Sequence, residues 1–480
     1  MPGSSPSYER LAAQDSAFLF FESPETHMHL GGTAVFEPGP LATADGGIDI
    51  DRIRARIASR LHHIPRYRQR LAWIPVQNHA VWVDDDHFNL GYHVRHTSLP
   101  RPGDDEQLKR LTARIMSQQL DRTRPLWEAW IVEGLEGGRF ALVTKTHHCM
   151  ADGLSAVDLI TVLLSPFPET DVEPAPPWIP RRVPTAGELL GRELARPFAL
   201  PIELGRRALD ALRDPAGTFT VLRERAAAVW HTVTAAMPAP ADTPLNRPIG
   251  PHRRFDWLTL DLDAVKHVKN RLGGTVNDVV LSTVAGGMRR FLARRDVAVD
   301  GLGYRIVVPV SVRVPEERGQ ASNRASGWLL TLPIDERSPR RRHARVCQLT
   351  EQCKASKQAL GPEALLDVVE LAGPLVFAVG VRLTSRLAPY NLIVTNVPGP
   401  QIPLYLLGAP LVAGYPVVPL FQNQGVAIAI LSYLGRLFVG VNADWDLVPD
   451  VDDLIRDLGA AFDELSDAAE RRRPAARASA

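Results

Sequence analysis

The nine residues Lys145–Gly153, KTHHCMADG, follow directly on an apolar run, FALVT at 140–144. Upstream, WEAWIVEGL (127–135) and GRFALVTKTHH (138–148) read as two strands joined at Gly137-Gly138, because apolar runs rich in valine and aromatics break at that glycine pair. Downstream, LSAVDLITVLL (154–164) reads as a buried helix. Strand, polar turn and apolar helix in that order predict an α/β architecture. His147 and His148 then fall at the strand end or in the turn that follows it.

Three readings of the histidine pair compete. A metal site needs three or four ligands, and HHxxxD lacks the i, i+4 histidine spacing of HExxH, so no metal is expected. Two packed core histidines are the structural reading, and the added Asp-Gly at fixed spacing speaks against it. The third reading is a catalytic base. An imidazole can take the proton of an alcohol as that oxygen attacks an activated carbonyl, then return it to the leaving group. His148 is the candidate base, Asp152 can pair with a cation to fix the turn, and Gly153 leaves room for substrate near the backbone. No GxSxG nucleophile elbow occurs in the chain. Cys149 beside the histidines is read as a small packed side chain rather than a nucleophile.

At 480 residues the chain exceeds one ordinary core, and two large domains with a connecting segment are expected. Lys and Arg number 55 against 54 Asp and Glu, a balance that does not suit a nucleic-acid partner. Three irregularly spaced cysteines form no disulfide framework and no CxxC pair, which fits a reducing cytoplasm. The first residues lack the basic start and continuous apolar core of a signal peptide.

Proline punctuates the chain after the first strand-and-helix region. SPFPETDVEPAPPWIPRRVP (165–184) cannot propagate a helix or a central strand and reads as a linker. Residues 186–237 are helix-prone and arginine-rich, with PAPADTP closing them, and read as a helical crossover. Second-half strands are expected at FDWLTLDL, YRIVVPVSVR, GWLLTLP, NLIVTNV, GVAIAILSYL and RLFVGVNADW, with helices after Asp263, at NDVVLSTVAGGMRRFLARR and at VDDLIRDLGAAFDEL. The expected units are therefore 1–166, a linker and crossover over 167–250, a second domain over 251–467 and a basic tail over 468–480.

Leu387–Gly435 contains no Asp, Glu, Lys or Arg, yet prolines at 398, 400, 403, 410, 416 and 419 rule out one clean spanning helix. Buried strands and apolar loops are expected there, or a lipid-facing groove. Asn277 and Asp278 fall at the start of a helix, where they either cap it or favour an oxyanion. Trp127, after Pro125, either packs at a strand start or lines a channel. No Rossmann fingerprint or P-loop is present.

HHxxxDG is the signature of the coenzyme A-dependent acyltransferase superfamily. LAAQDSAFLFFESPETHMHLGG (11–32), RPLWEAWIVEGL (124–135), TVNDVVLS (275–282), VPVSVR (308–313) and TNVPGP (395–400) further resemble, in order, the bacterial wax ester synthase/diacylglycerol acyltransferase family. The resemblance implies two chloramphenicol-acetyltransferase-like α/β domains, a pseudo-dimer with the active site in a channel between them. It implies direct acyl transfer with His148 as base, His147 as its motif neighbour, Asp152 structural, Asn277 at the oxyanion, and Arg313 as the partner of Asp152. Gly153, Trp127 and Asp278 are the expected substrate-side residues.

The substrates it implies are a long-chain acyl-CoA, as co-substrate with no other cofactor, and diacylglycerol or a long-chain alcohol. The products are triacylglycerol and wax ester. A peripheral membrane or lipid-droplet surface is the implied workplace, and the arginines of the crossover (Arg192, Arg206, Arg207) either offer it a face or belong to a solvated linker with one packed face. The same signature also accommodates a carrier-protein thioester as donor, another hydroxyl acceptor, or a catalytically weak lipid-binding scaffold.

Overall fold

The computed structural model describes residues 8–75, 79–150, 160–195, 240–311, 325–355 and 390–471. Its strands are β1 (Glu9–Arg10), β2 (His29–Phe36), β3 (Gln69–Ile74), β4 (His79–Asp84), β5 (Val94–Ser98), β6 (Trp127–Glu133), β7 (Phe140–His147), β8 (Arg253–Asp261), β9 (Tyr304–Ser311), β10 (Ala325–Leu332), β11 (Leu392–Pro398), β12 (Tyr405–Leu406), β13 (Ala409–Val417), β14 (Val426–Tyr433) and β15 (Arg436–Asp444). The main helices are α1 (Ala13–Phe21), α2 (Ile50–Arg60), α3 (Asp105–Met116), α4 (Ala186–Ala195), α5 (Leu262–Leu272), α6 (Val276–Arg294), α7 (Pro339–Ala355) and α8 (Val451–Glu470).

Two six-stranded mixed sheets dominate, in the orders β12-β13-β2-β7-β6-β5 and β10-β9-β11-β14-β15-β8, and a small antiparallel sheet β1-β4-β3 flanks the first. Each large sheet carries an apolar core, one built on Phe36, Trp127 and Phe140, the other on Phe291, Ile428 and Leu454. This is the expected α/β class with two sheet-based halves. The central strand β14 reads as a near-continuous apolar run because both its faces are covered, whereas β7 is apolar to Val143 and then buries Lys145 and His147.

As far as it is described, the uncharged stretch forms β11 to β14, largely buried strands and loops, with Val397 at the end of β11 and Ile402 after it exposed. It differs from expectation in where β12 and β13 lie. They belong by sequence to 251–467, yet β13 pairs antiparallel with β2, Leu411 opposite Phe36 and Val417 opposite Gly31. The second half thus donates a hairpin that covers what would otherwise be an exposed edge strand. A boundary at residue 251 does not separate the two sheets in space.

Close approach explains two glycine sites. A Cβ on Gly31 would fall 1.9 Å from the Thr144 carbonyl oxygen of the neighbouring strand. In α6, Cβ atoms on Gly286 and Gly287 would fall 2.8 Å from Ala461 Cβ and 2.6 Å from Leu458 Cδ2, so α8 crosses directly over this glycine pair. Helix α3 ends at Met116, and the Ile115 carbonyl in its last turn accepts from a buried lysine described below.

A seam joins the halves along α3 and β8. Lys109 of α3 is ion-paired with Asp256 of β8, and its ammonium lies 5.1 Å from the Trp257 ring centre. Trp257 stacks on Tyr415 of the donated hairpin at 4.4 Å, and the Arg253 N–H donates to Ser117 Oγ at 2.9 Å.

Candidate active site

β7 runs between β2 and β6 and is buried along its whole length, which carries the chain into the interior before it turns. His147 is the last strand residue, paired with His29 of β2. A single 3-10 turn, His148–Met150, follows. Its first N–H, that of His148, donates to the Met28 carbonyl at 2.7 Å, so the loop before β2 holds the turn.

The His148 ring is fixed by stacking. Phe18 of α1 lies parallel to it, with ring centres 3.6 Å apart and planes 17° from parallel. Nδ1 is buried and reaches no partner in hydrogen-bond geometry. Nε2 makes no hydrogen bond to another described residue either, so among these residues neither nitrogen is spent on holding the fold. Packing around the imidazole pushes its pKa down to about 4; its own backbone raises it and the adjacent His147 lowers it further, both as lesser influences. The side chain is thus a neutral imidazole in the ordinary pH range, able to accept a proton.

His147 is arranged differently. Its Nδ1 accepts the Cys149 N–H at 3.1 Å, which leaves Nε2 as the protonated nitrogen, and Nε2 faces Glu22 Oε2 at 3.5 Å. Glu22 accepts from Arg122 Nε and Nη2 at 3.0 and 2.5 Å, and His29 Nε2 lies 3.8 Å from its other oxygen. Burial alone would raise the Glu22 carboxyl, but His147 and then Arg122 outweigh it and hold it at about 2. His29 is driven well below its ordinary value, chiefly by burial. Arg122, Glu22 and His147 therefore form a chain that ends on the backbone of the catalytic turn.

Lys145 braces the same strand. Fully buried, its ammonium donates to the carbonyls of Ile115 and Gln118 at 3.1 and 3.0 Å and pairs with Glu128 of β6 at 3.2 Å. It ties the end of α3 to β7 just before the histidines.

Cys149 is buried, and burial pushes its thiol well above the usual range, so it is protonated and inert. Among the described residues, no group of three or more His, Cys, Asp or Glu side chains is arranged to hold a metal ion, although His27, His29, His147 and His148 lie near one another.

In the second half, Thr275 caps α6 in a capping box with Asp278. Asp278 Oδ2 accepts from the Thr275 N–H and hydroxyl, and Oδ1 accepts from the Thr350 hydroxyl at 2.7 Å. Both oxygens are engaged within the fold, the arrangement of a helix cap. Asn277, half-buried one residue before, accepts on Oδ1 from Asn396 Nδ2 at 3.3 Å. That bond turns its amide N–H groups away from Asn396 and links the TVND and TNVPGP stretches. Trp127 is fully buried, donates from Nε1 to the Tyr67 carbonyl at 2.8 Å and stacks on His93 at 4.7 Å. These are the contacts of a packed aromatic at a strand start.

Asp152, Gly153 and Arg313 lie outside the described residues, as does most of the 186–237 segment. Residues not singled out from sequence are Phe18, Glu22, Arg122 and Asn396. Glu22 carried a signal, since FFESPETHMH sets two acids, Glu22 and Glu25, before two histidines. Arg122 carried none, because its partner lies 100 positions away.

Comparison with known proteins matches this architecture. The model of the wax ester synthase/diacylglycerol acyltransferase catalytic domain matches residues 11–280, and that of the WS/DGAT C-terminal domain matches 321–466. A Mycobacterium tuberculosis protein named a probable diacylglycerol O-acyltransferase is 32% identical over 470 residues, covering 96% of this chain and 97% of its own. A second of that name and organism is 33% identical over 467 residues, covering 95% and 98%. The solved wax ester synthase/diacylglycerol acyltransferase of Marinobacter aquaeolei VT8 aligns with a TM-score of 0.70 at 26% identity, over 96% of this chain and 99% of that one. The starter condensation domain of rhizomide synthetase, at a TM-score of 0.57 and 12% identity over 97% and 95%, shares the fold alone. With catalytic and C-terminal models both matched and two relatives aligned almost end to end, the chain belongs to the wax ester synthase/diacylglycerol acyltransferase family.

Proposed function

We propose that the protein transfers an acyl group from acyl-CoA to the free hydroxyl of diacylglycerol, forming triacylglycerol, and to long-chain alcohols, forming wax esters. The observation that carries this reading is His148, its ring stacked on Phe18 and its backbone N–H held by the Met28 carbonyl, with neither ring nitrogen hydrogen-bonded to another described residue. His148 takes the proton of the acceptor hydroxyl as its oxygen attacks the thioester carbonyl. The tetrahedral intermediate collapses, the carbon–sulfur bond breaks, and the proton passes from the imidazolium to the leaving thiolate. No acyl-enzyme is formed, in keeping with the protonated, buried Cys149.

Asn277, its Oδ1 committed to Asn396, offers its amide N–H groups to the oxyanion. Acyl-CoA is a co-substrate, and no bound cofactor takes part. Among the described residues no helix is long and apolar enough to cross a membrane. An enzyme with an insoluble acceptor and product works at a membrane or lipid-droplet surface.

Release of coenzyme A thiol from palmitoyl-CoA, with dipalmitoylglycerol, hexadecanol or no acceptor, tests the reading. Acceptor-dependent release is expected, and the better acceptor defines the main product. A folded protein that neither acceptor stimulates overturns it.

A further inference from the structure

A cavity of about 760 Å³ opens at the seam, between α3, the start of β8 and the turn leading into α8. Several cations face it, and most are already neutralised. Lys109 is paired with Asp256, Arg110 with Glu106, and Arg253 donates to the Gly250, His252 and Glu25 carbonyls beside Asp444. The lining acid Asp452 is paired with Arg456 outside the cavity.

Two cations remain. Arg114 is exposed and has no ion pair or hydrogen bond among the described residues. Arg254 makes one hydrogen bond, to the Trp445 carbonyl, and has no carboxylate partner among them. Its guanidinium lies 3.8 Å from the centre of the Trp445 ring, and that indole is 47% exposed. Two guanidinium groups with no carboxylate partner among the described residues, beside an open aromatic face, suit a ligand that joins phosphates to a planar base.

The cavity is also within reach of the catalytic turn. Arg253 Nη2 donates to the Glu25 carbonyl, and Met28, three residues on, accepts the His148 N–H at 2.7 Å. Three residues span at most roughly 11 Å. A pantetheine arm is as long as about four residues, roughly 14 Å extended.

We propose that this seam cavity binds the 3′-phosphorylated ADP end of acyl-CoA, with Arg114 and Arg254 on its phosphates and the Trp445–Arg254 stack beside its adenine. The inference rests on acyl-CoA being the donor. Adenine and phosphates then dock on the seam while the pantetheine arm carries the thioester inward toward His148.

The test combines Arg114→Gln with Arg254→Gln in the full chain, with Trp445→Ala as a second variant. The KM for palmitoyl-CoA is expected to rise about tenfold or more, while that for palmitoyl-pantetheine, which lacks the nucleotide, moves by less than about twofold. An unchanged KM for palmitoyl-CoA, or an equal rise for both thioesters, overturns the assignment. Calorimetry with 3′,5′-ADP separates this inference from the acyl-transfer reading. Binding by the wild type that the double variant loses supports the cavity even if neither thioester is turned over, and no binding by the wild type overturns it. Loss of flotation with phosphatidylglycerol vesicles while 3′,5′-ADP binding persists assigns the arginines to lipid headgroups and also overturns it.

Discussion

Two histidines, one in each half, are enclosed by the same kind of α/β packing and end in opposite situations. His343 of α7 has both ring nitrogens occupied, Nδ1 by the Ser282 hydroxyl at 2.9 Å and Nε2 by the Gly273 carbonyl at 3.0 Å. It ties α7 to α6 and to the end of α5. His148 has a backbone bond and a stacked phenylalanine, but no bond to either ring nitrogen among the described residues. A buried imidazole whose nitrogens are spent belongs to the architecture, whereas one held by its backbone and its faces keeps its proton chemistry. The surroundings differ in the same sense. The end of β7 gathers Lys145, Glu128, His147, Glu22 and Arg122 around His148, while β14 is uncharged from Val426 to Tyr433 and contributes shape.

Removing the supports tests this contrast, beginning with the largest effect. Glu22→Gln takes the carboxylate from Arg122 and His147 and should lower stability by about 2 kcal/mol. It should also lower kcat about tenfold with little change in KM, since Glu22 positions the turn rather than touching substrate. Urea titration and steady-state kinetics check both, and a pure stability loss would reduce Glu22 to a fold residue. His343→Ala should cost about 1–2 kcal/mol through the two lost bonds, with turnover per folded molecule retained. A selective loss of turnover there would break the comparison. Asp278→Ala should cost about 1 kcal/mol, the value of a helix cap, with the KM values unmoved.

The pH dependence sharpens the contrast further. His148 falls to about 4 in the folded chain from 6.5, with His27, His29 and His93 lowered in the same direction, each chiefly by burial. The unfolded chain therefore takes up these protons first. The urea midpoint should decline as pH falls from 6.5 toward about 4, and less steeply in His148→Ala. Glu22 acts lower down: its contribution is complete above 4.5 and is lost as pH falls through about 2. A midpoint flat across the upper window would contradict the burial of neutral imidazoles.

Much of this was legible in the sequence because it is local. The strand that ends in His147, the glycine that stops α5 at Gly273 and the Thr275–Asp278 cap are set by neighbours a few residues apart. The donated hairpin was not legible, since its pairing of Leu411 with Phe36 depends on which edge is left open after both sheets form. Nor was the grip of Arg122 on Glu22, or that of Lys145 on the end of α3, because a charge pattern does not say which distant charges folding will bury together. The surroundings of Asp278 were legible only in part. Its motif marks a helix start, and only the Thr350 hydroxyl from α7 shows that the second oxygen is also taken.

The most direct test of His148 as the base is thiol release from palmitoyl-CoA with dipalmitoylglycerol by His148→Ala, compared with wild type at equal folded fraction. The account predicts a fall of about 10²–10⁴-fold in kcat, the usual worth of a positioned general base, with the thermal transition preserved. Turnover within about threefold of wild type in a folded variant would show that another group takes the proton, and would contradict the assignment.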